Sequence, residues 1–425
     1  MSTLKPAPER DDTGQNTTAL AVFWPILAIL YMLGFTNLFL RSSFGVMSPD
    51  LAREMDMAPA ALSLVGSAFF FAYALMQVPT GMLLDRFGPR RTLAIMLIST
   101  FVGAGIFAAG ETPGMLAVGR VLMGIGCAGV FTGAFYVMTL WMPPDRVVTQ
   151  IGMLNSFASF GNLCATAPLA FLIAWIGWRT SYWGFTIGVA LLTLAVALVM
   201  RDTAPGQTPT SSKDESLRQI FAGVREAIRQ PGMKRLLVAG LPMSAASTIS
   251  GVWGAPYLKH VHGLDDGARG SVLLAMAVCG MSGHFLYGQL ARRFNTLKWP
   301  IIGGSSVILC CTGLFALIEQ PPLWLVTVLF AILALVSAYP TITHAHARGL
   351  VPARLMGRGV SVTNMGVMTA IATAQLAFGG IVGLLPTVAG APPEAAYRLG
   401  FAMQAIVALT GILIYAPIRD VRPRG

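Results

Sequence analysis

The sequence predicts an all-α integral membrane protein, and three observations carry that prediction. Hydrophobic residues are 55% of the 425 and charged residues only 11%, more apolar surface than one water-soluble core can hide. The apolar residues gather into twelve runs, most near the ~20 residues that cross a bilayer as a helix. The cations, finally, are shared unevenly among the connections. Each run is continuously apolar instead of alternating, which argues for helices that satisfy their own backbone and against a barrel.

Residues 1–19 are polar and of mixed charge and read as a tail, with no basic start, short apolar core and small-residue cleavage site, so no cleavable signal is expected. The first run, 20–48, is interrupted only by polar residues such as Asn37, Arg41 and Ser48. The second, 60–84, ends on the Arg-rich turn GMLLDRFGPRRT (81–92), from which the third, 92–109, departs. The fourth, 114–141, contains Arg120 in GRVLMGIG, and the fifth and sixth, 149–174 and 179–200, complete a first group. A polar connection, 201–235, follows, ending in LRQIFAGVREAIRQP, which reads as a helix lying on the membrane surface. The second group is 236–258, 270–290, 299–318, 322–345, 357–384 and 398–418, with a tail at 419–425.

The formal charge of +11 reflects topology. Of the 29 Lys and Arg, 22 lie toward one set of alternating segments and 6, counting Arg41 of the first run, toward the other, with Arg120 assigned to neither. By the positive-inside pattern both termini and 201–235 are cytoplasmic in a cell inner membrane. The lipid bilayer is then the partner these cations address, and no nucleic acid is expected. Cys127, Cys164, Cys279, Cys310 and Cys311 all lie in apolar runs, and no histidine pair has ligand spacing, so neither disulfides, metal nor cofactor is expected.

The two groups echo one another. Gly81, Asp85, Arg86, Phe87 and Gly88 recur as Gly288, Arg292, Arg293, Phe294 and Asn295, and Asn155 matches Asn364 at nearly the same offset. Such symmetry is expected of a transporter that rocks two related bundles about a central site.

With GMLLDRFGPRR after the second run, GRVLMGIG in the fourth and the six-plus-six layout, the chain resembles the major facilitator superfamily over its whole length. The resemblance implies twelve transmembrane helices in two six-helix bundles, 20–200 and 236–418, each an inverted repeat, enclosing a cavity. It also implies that Gly81, Asp85, Arg86 and Gly88 form a gating latch, beside which Arg90 and Arg91 read equally as a positive-inside turn. The second copy departs, with Arg292 for the acid and Asn295 for the glycine, which leaves the second latch in doubt.

In the first run Gly34, Asn37, Arg41, Gly45 and Ser48 share one helical face. The segment resembles the first helix of the organic-anion branch, in which an arginine meets the substrate. Arg41 either lines the cavity or snorkels to the outer interface. The resemblance gives Arg120 a part in the cavity or in coupling. Organic-anion relatives often carry acids at the places of Leu40 and Cys127; here all 18 acidic residues lie in loops, tails or near helix ends, so the coupling ion stays open. His284 and His344 are alternative titrating groups. Other cavity candidates are Tyr73, Gln77, Asn155, Asn162, Asn364 and Gln375, while Trp253 and Tyr257 belong either to an outer gate or to the interfacial aromatic belt.

The expected function is secondary active or facilitative transport of a small organic anion, by a monomer that does no chemistry on its substrate. An exporter of drugs or metabolites is the first alternative, although 152–171 lacks the adjacent Gly-Pro expected of one. A carrier of zwitterions such as short peptides is the second. A membrane enzyme or receptor would need a clustered nucleophile and base or an added domain, and neither is visible.

Overall fold

A computed structural model describes residues 12–142, 144–202, 217–387 and 391–422, and they form a helical protein. The first half holds α1 (Asp12–Glu54), α2 (Pro59–Ala108), α3 (Pro113–Trp141), α4 (Thr149–Ile176) and α5 (Trp178–Val199). The connecting segment holds α6 (Leu217–Arg229). The second half holds α7 (Met233–His262), α8 (Asp266–Arg293), α9 (Lys298–Leu317), α10 (Leu323–Val336), α11 (Pro340–Leu350), α12 (Met356–Val382) and α13 (Glu394–Tyr415).

Among the described residues ten of these helices are long and apolar enough to cross a membrane. The expected twelve separate helices are therefore met only in part. Runs two and three are the two helical arms of α2, separated as expected at the Arg-rich turn, where Gly88 (φ 77°, ψ 165°) leaves helical geometry. Gly88 takes the left-handed region that a Cβ disfavours, and the chain changes direction there. Run ten is divided into α10 and α11 just ahead of Pro340, a residue type that lacks a backbone N–H donor. The surface helix foreseen in 201–235 is α6, tied to the second half by Arg354, which donates to Glu226 Oε2 at 3.0 Å.

Packing follows the chain halves. In the first, α2 lies on α3 and α5, and α1 on α4; in the second, α8 lies on α10, and α9 and α12 on α13. The halves meet where α1 touches α7, α2 touches α12 and α4 touches α8. One end of the molecule gathers the C-terminal segment, the start of α7 and the turn at Gly88: Arg235 donates to Pro417 O at 3.1 Å, and Arg90 N donates to Asp202 Oδ1 at 2.8 Å. This is termed the terminal end.

At the opposite end the halves are tightly joined. A Cβ on Gly45 would stand 2.1 Å from Ser250 O, and one on Gly379 would stand 1.9 Å from Ser63 Oγ, so glycine alone permits this approach. Ser48 Oγ donates across the seam to Val252 O at 2.7 Å. At the terminal end, by contrast, Gly81 and Gly152 face open space, and a cleft of about 560 Å³ runs along Tyr31 of α1 and Thr149, Met153, Phe157 and Phe160 of α4. In this conformation the halves are closed on one another far from the termini.

Candidate functional site

Breaks in the helices create the site's polar geometry. α3 is interrupted at Ala128 and Gly129, which frees the Cys127 carbonyl, and Asn37 Nδ2 donates to it at 2.6 Å. α7 contains a π-turn at Ile249–Trp253, and the nearby Ser247 carbonyl accepts from Gln375 Nε2 of α12 at 3.1 Å. Local π geometry of this kind loosens the regular ladder and is frequent at functional positions.

Between these breaks five predicted residues converge. Asn37 and Gln77 lie within hydrogen-bond reach of the Tyr73 hydroxyl. Gln77 Oε1 accepts from Asn364 Nδ2 at 2.9 Å, which joins α2 to α12 across the seam. Arg41 stands one turn beyond Asn37, half-buried, its guanidinium 5.2 Å from the centre of the Phe70 ring and electrostatically coupled to Tyr73. Among the described residues it has no hydrogen-bond or ion-pair partner. The side chain lies against α2 near the middle of α1. Gln77 Nε2 and Gln375 Oε1 are buried without partners, so the seam holds spare hydrogen-bonding capacity as well as a spare charge.

The other predicted residues are scattered. Asn162 accepts from Ser42 Oγ, tying α4 to α1, while Asn155 is exposed on α4. His284 is exposed on α8, and His344 is half-buried in α11 with Nε2 unpartnered; neither bonds to the Arg41 group. On the shared face of α1, Gly34 packs on Leu154 and Ala158, and Gly45 and Ser48 form the far seam, so that face is part site and part joint.

Arg120 is packed inside the first half. Only 1% exposed, it donates to Leu40 O at 2.9 Å and lies 5.1 Å from the Phe44 ring and 4.6 Å from the Phe69 ring. The residue supports α1 from behind. Trp253 and Tyr257, expected together, have different surroundings, and each is only 2% exposed, unlike an aromatic at a lipid interface. Trp253 Nε1 donates to Ser63 Oγ of the other half at 3.0 Å, whereas Tyr257 packs among Phe315, Phe330, Tyr397 and Phe401 inside the second half.

In the Arg-rich turn, Arg90 is held by its own half. Asp85 is exposed and lies within electrostatic reach of Tyr136; Arg86 stacks on Phe87 at 5.4 Å, and Arg91 is exposed. Arg90 bonds to Asp202 through its backbone N–H and to Ala197 O through Nε at 2.9 Å, so an acid just past α5 fastens the turn before the second arm of α2. The second half repeats the device. Asp420, just past α13, accepts from Thr296 Oγ1 at 2.6 Å and from Lys298 N at 3.1 Å, beside Asn295, whose φ of 48° reproduces the left-handed turn of Gly88. Burial alone would raise the Asp420 carboxyl, but these hydrogen bonds hold it below the usual carboxylate range. Its contribution is present above the ordinary value and is lost only as pH falls through the lowered one. These two clasps were not foreseen; the signal for them was the Arg-Asp pair after the last helix of each half, Arg201-Asp202 and Arg419-Asp420.

Comparison with known proteins adds an independent line. A model of the Major Facilitator Superfamily matches residues 30–374. The probable sulfoacetate transporter SauU of Cupriavidus necator is 29% identical over 279 residues, 63% of this chain and 64% of that protein, so the match spans just under two thirds of the relative. The probable galactarate/D-glucarate transporter GudP of Escherichia coli K12 is 26% identical over 360 residues, covering 73% of this chain and 76% of that one. Among solved structures, an inward-facing, occupied bacterial homologue of the human lysosomal transporter Spinster superposes with a TM-score of 0.72 at 17% identity, over 92% of this chain and 95% of that one. That likeness shows the fold.

Proposed function

Because the chain belongs to the Major Facilitator Superfamily, we propose that it is a secondary transporter that carries a small organic anion by alternating access. In this reading residues 20–200 and 236–418 are the two moving bundles, linked by 201–235. The observation that carries the substrate class is Arg41, a partly accessible guanidinium with no hydrogen-bond or ion-pair partner among the described residues, set beside Tyr73, Asn37, Gln77 and Asn364 where the halves meet. A guanidinium can grip a carboxylate or sulfonate through parallel N–H donors, and the neighbouring amides add hydrogen bonds that fix the rest of the molecule. Its position against Phe70 favours a cavity role over snorkelling. Sulfoacetate and galactarate/D-glucarate, for which the two relatives are named, are organic anions of this kind.

The test is uptake of labelled sulfoacetate, galactarate and D-glucarate into proteoliposomes that hold the purified protein and are preloaded with the same unlabelled anion. Saturable uptake of at least one of them, competed by unlabelled anion and not by neutral sugars, is expected. A carrier that ignores all three but moves short peptides or cationic drugs overturns the anion reading.

The terminal end is proposed to be cytoplasmic, as the cation distribution requires. A cysteine introduced at Ser211 should react with membrane-impermeant reagent only after the cells are broken. Labelling in intact cells reverses the orientation.

The turn at Gly81, Asp85, Arg86 and Gly88 is proposed to act as a latch for the opposite conformation, since here it engages Asp202 of its own half. Asp85→Asn should slow transport and shift the resting population while expression stays near normal. Unchanged kinetics and unchanged cavity accessibility remove the latch.

A further inference from the structure

Resting on the anion reading above, we infer that this carrier is an obligatory anion exchanger: it turns over between its two faces readily only with an anion on Arg41. The inference comes from how the site is neutralised. Arg41 has the Phe70 ring 5.2 Å away and Tyr73 as its electrostatic neighbour, and no ion-pair partner among the described residues. The acid next along α1 is Asp50, nine residues on, about 13 Å at the helical rise, and it bonds to Arg53 at 3.3 Å. None of the 18 acidic residues lies in the interior of a span. The titratable groups around Arg41 are the Tyr73 phenol of α2 and, beyond Asn37, the Cys127 thiol of α3, both neutral at pH 7 by their ordinary values. Arg120, behind Cys127, is a second cation already engaged by the Leu40 carbonyl and two rings, and it cannot neutralise the first.

Alternating access must pass through a state closed at both ends, and in that state water no longer solvates the site. A loaded carrier passes through it with guanidinium and anion paired. An empty carrier passes through with a bare guanidinium facing an aromatic ring and neutral side chains, and an uncompensated buried charge is strongly disfavoured. A neighbouring carboxylate would cancel the charge on the return, and its protonation would couple transport to protons; among the described residues none stands there. The return step is therefore fast only when a second anion is carried back.

The test uses wild-type protein in proteoliposomes, with labelled sulfoacetate, galactarate and D-glucarate as probes, each first scored for binding by thermal shift. For every probe that binds, uptake into vesicles preloaded with the same unlabelled anion should exceed uptake into vesicles without it by about tenfold or more, the expected consequence of a desolvated charge on the empty return. Neither an imposed pH gradient nor a potassium–valinomycin potential should replace the internal anion. Equal initial rates into loaded and empty vesicles, or a pH gradient that alone restores full uptake, overturn the exchange inference and leave the substrate reading intact. Failure of every probe to bind overturns the substrate reading and this inference with it.

Discussion

Arg41→Ala is expected to abolish organic-anion binding while the protein remains inserted, folded and monodisperse. The guanidinium contributes no hydrogen bond or ion pair to the fold among the described residues, so little structure depends on it beyond its contact with Phe70. Hydrogen bonds to charged groups are worth about 1.5–3 kcal/mol each, so losing a two-pronged grip should raise Kd by roughly 100-fold or more. Arg41→Lys keeps the charge and loses the fork, and its Kd should rise about tenfold. Isothermal titration of the purified variants decides the matter. If Arg41→Ala binds as tightly as wild type, Arg41 is an anchor and the anion assignment loses its main support.

Arg120→Ala is expected to do the opposite, costing stability. Its side chain is enclosed, donates to Leu40 O at 2.9 Å and faces two rings, Phe44 and Phe69. Removing it leaves a buried carbonyl without its donor, ends two desolvated cation–π contacts and opens a void, together about 3 kcal/mol or more. Arg120→Lys should rescue only part, since one ammonium cannot reproduce a flat donor group sandwiched by two rings. Heat challenge in detergent, followed by size-exclusion chromatography, measures the effect. A variant as heat-resistant as wild type but unable to bind anion would move Arg120 from the scaffold to the substrate.

The fate of these two arginines shows what a sequence reveals. Both interrupt apolar helices, and the family resemblance made both cavity candidates; insertion cost marks an intramembrane charge without saying which neighbour compensates it. That depends on contacts distant in the chain: residue 120 meets the carbonyl of residue 40. The spans, the amphipathic helix and the polar set Asn37, Tyr73, Gln77 and Asn364 were legible, since periodicity and composition are local. The turn at Gly88 was legible as well, since the charged stretch GMLLDRFGPRRT breaks the apolar pattern where the backbone leaves helical geometry. Trp253 and Tyr257 were inseparable by spacing, although one reaches Ser63 across the seam and the other stays within its own half. Asp202 and Asp420 were hidden because a single acid beside a helix end looks like any solvated charge, and only the fold brings each against the start of another helix.

Those two acids bear on how the protein is assembled. Each half finishes with a residue that returns to fasten a turn of that same half, so each is sealed by the last residues of its own segment to leave the ribosome. The first half has its final stitch once Asp202 has emerged and need not wait for the second. A nascent chain can thus mature as two successive modules, with the seam between them left as the last surface to form.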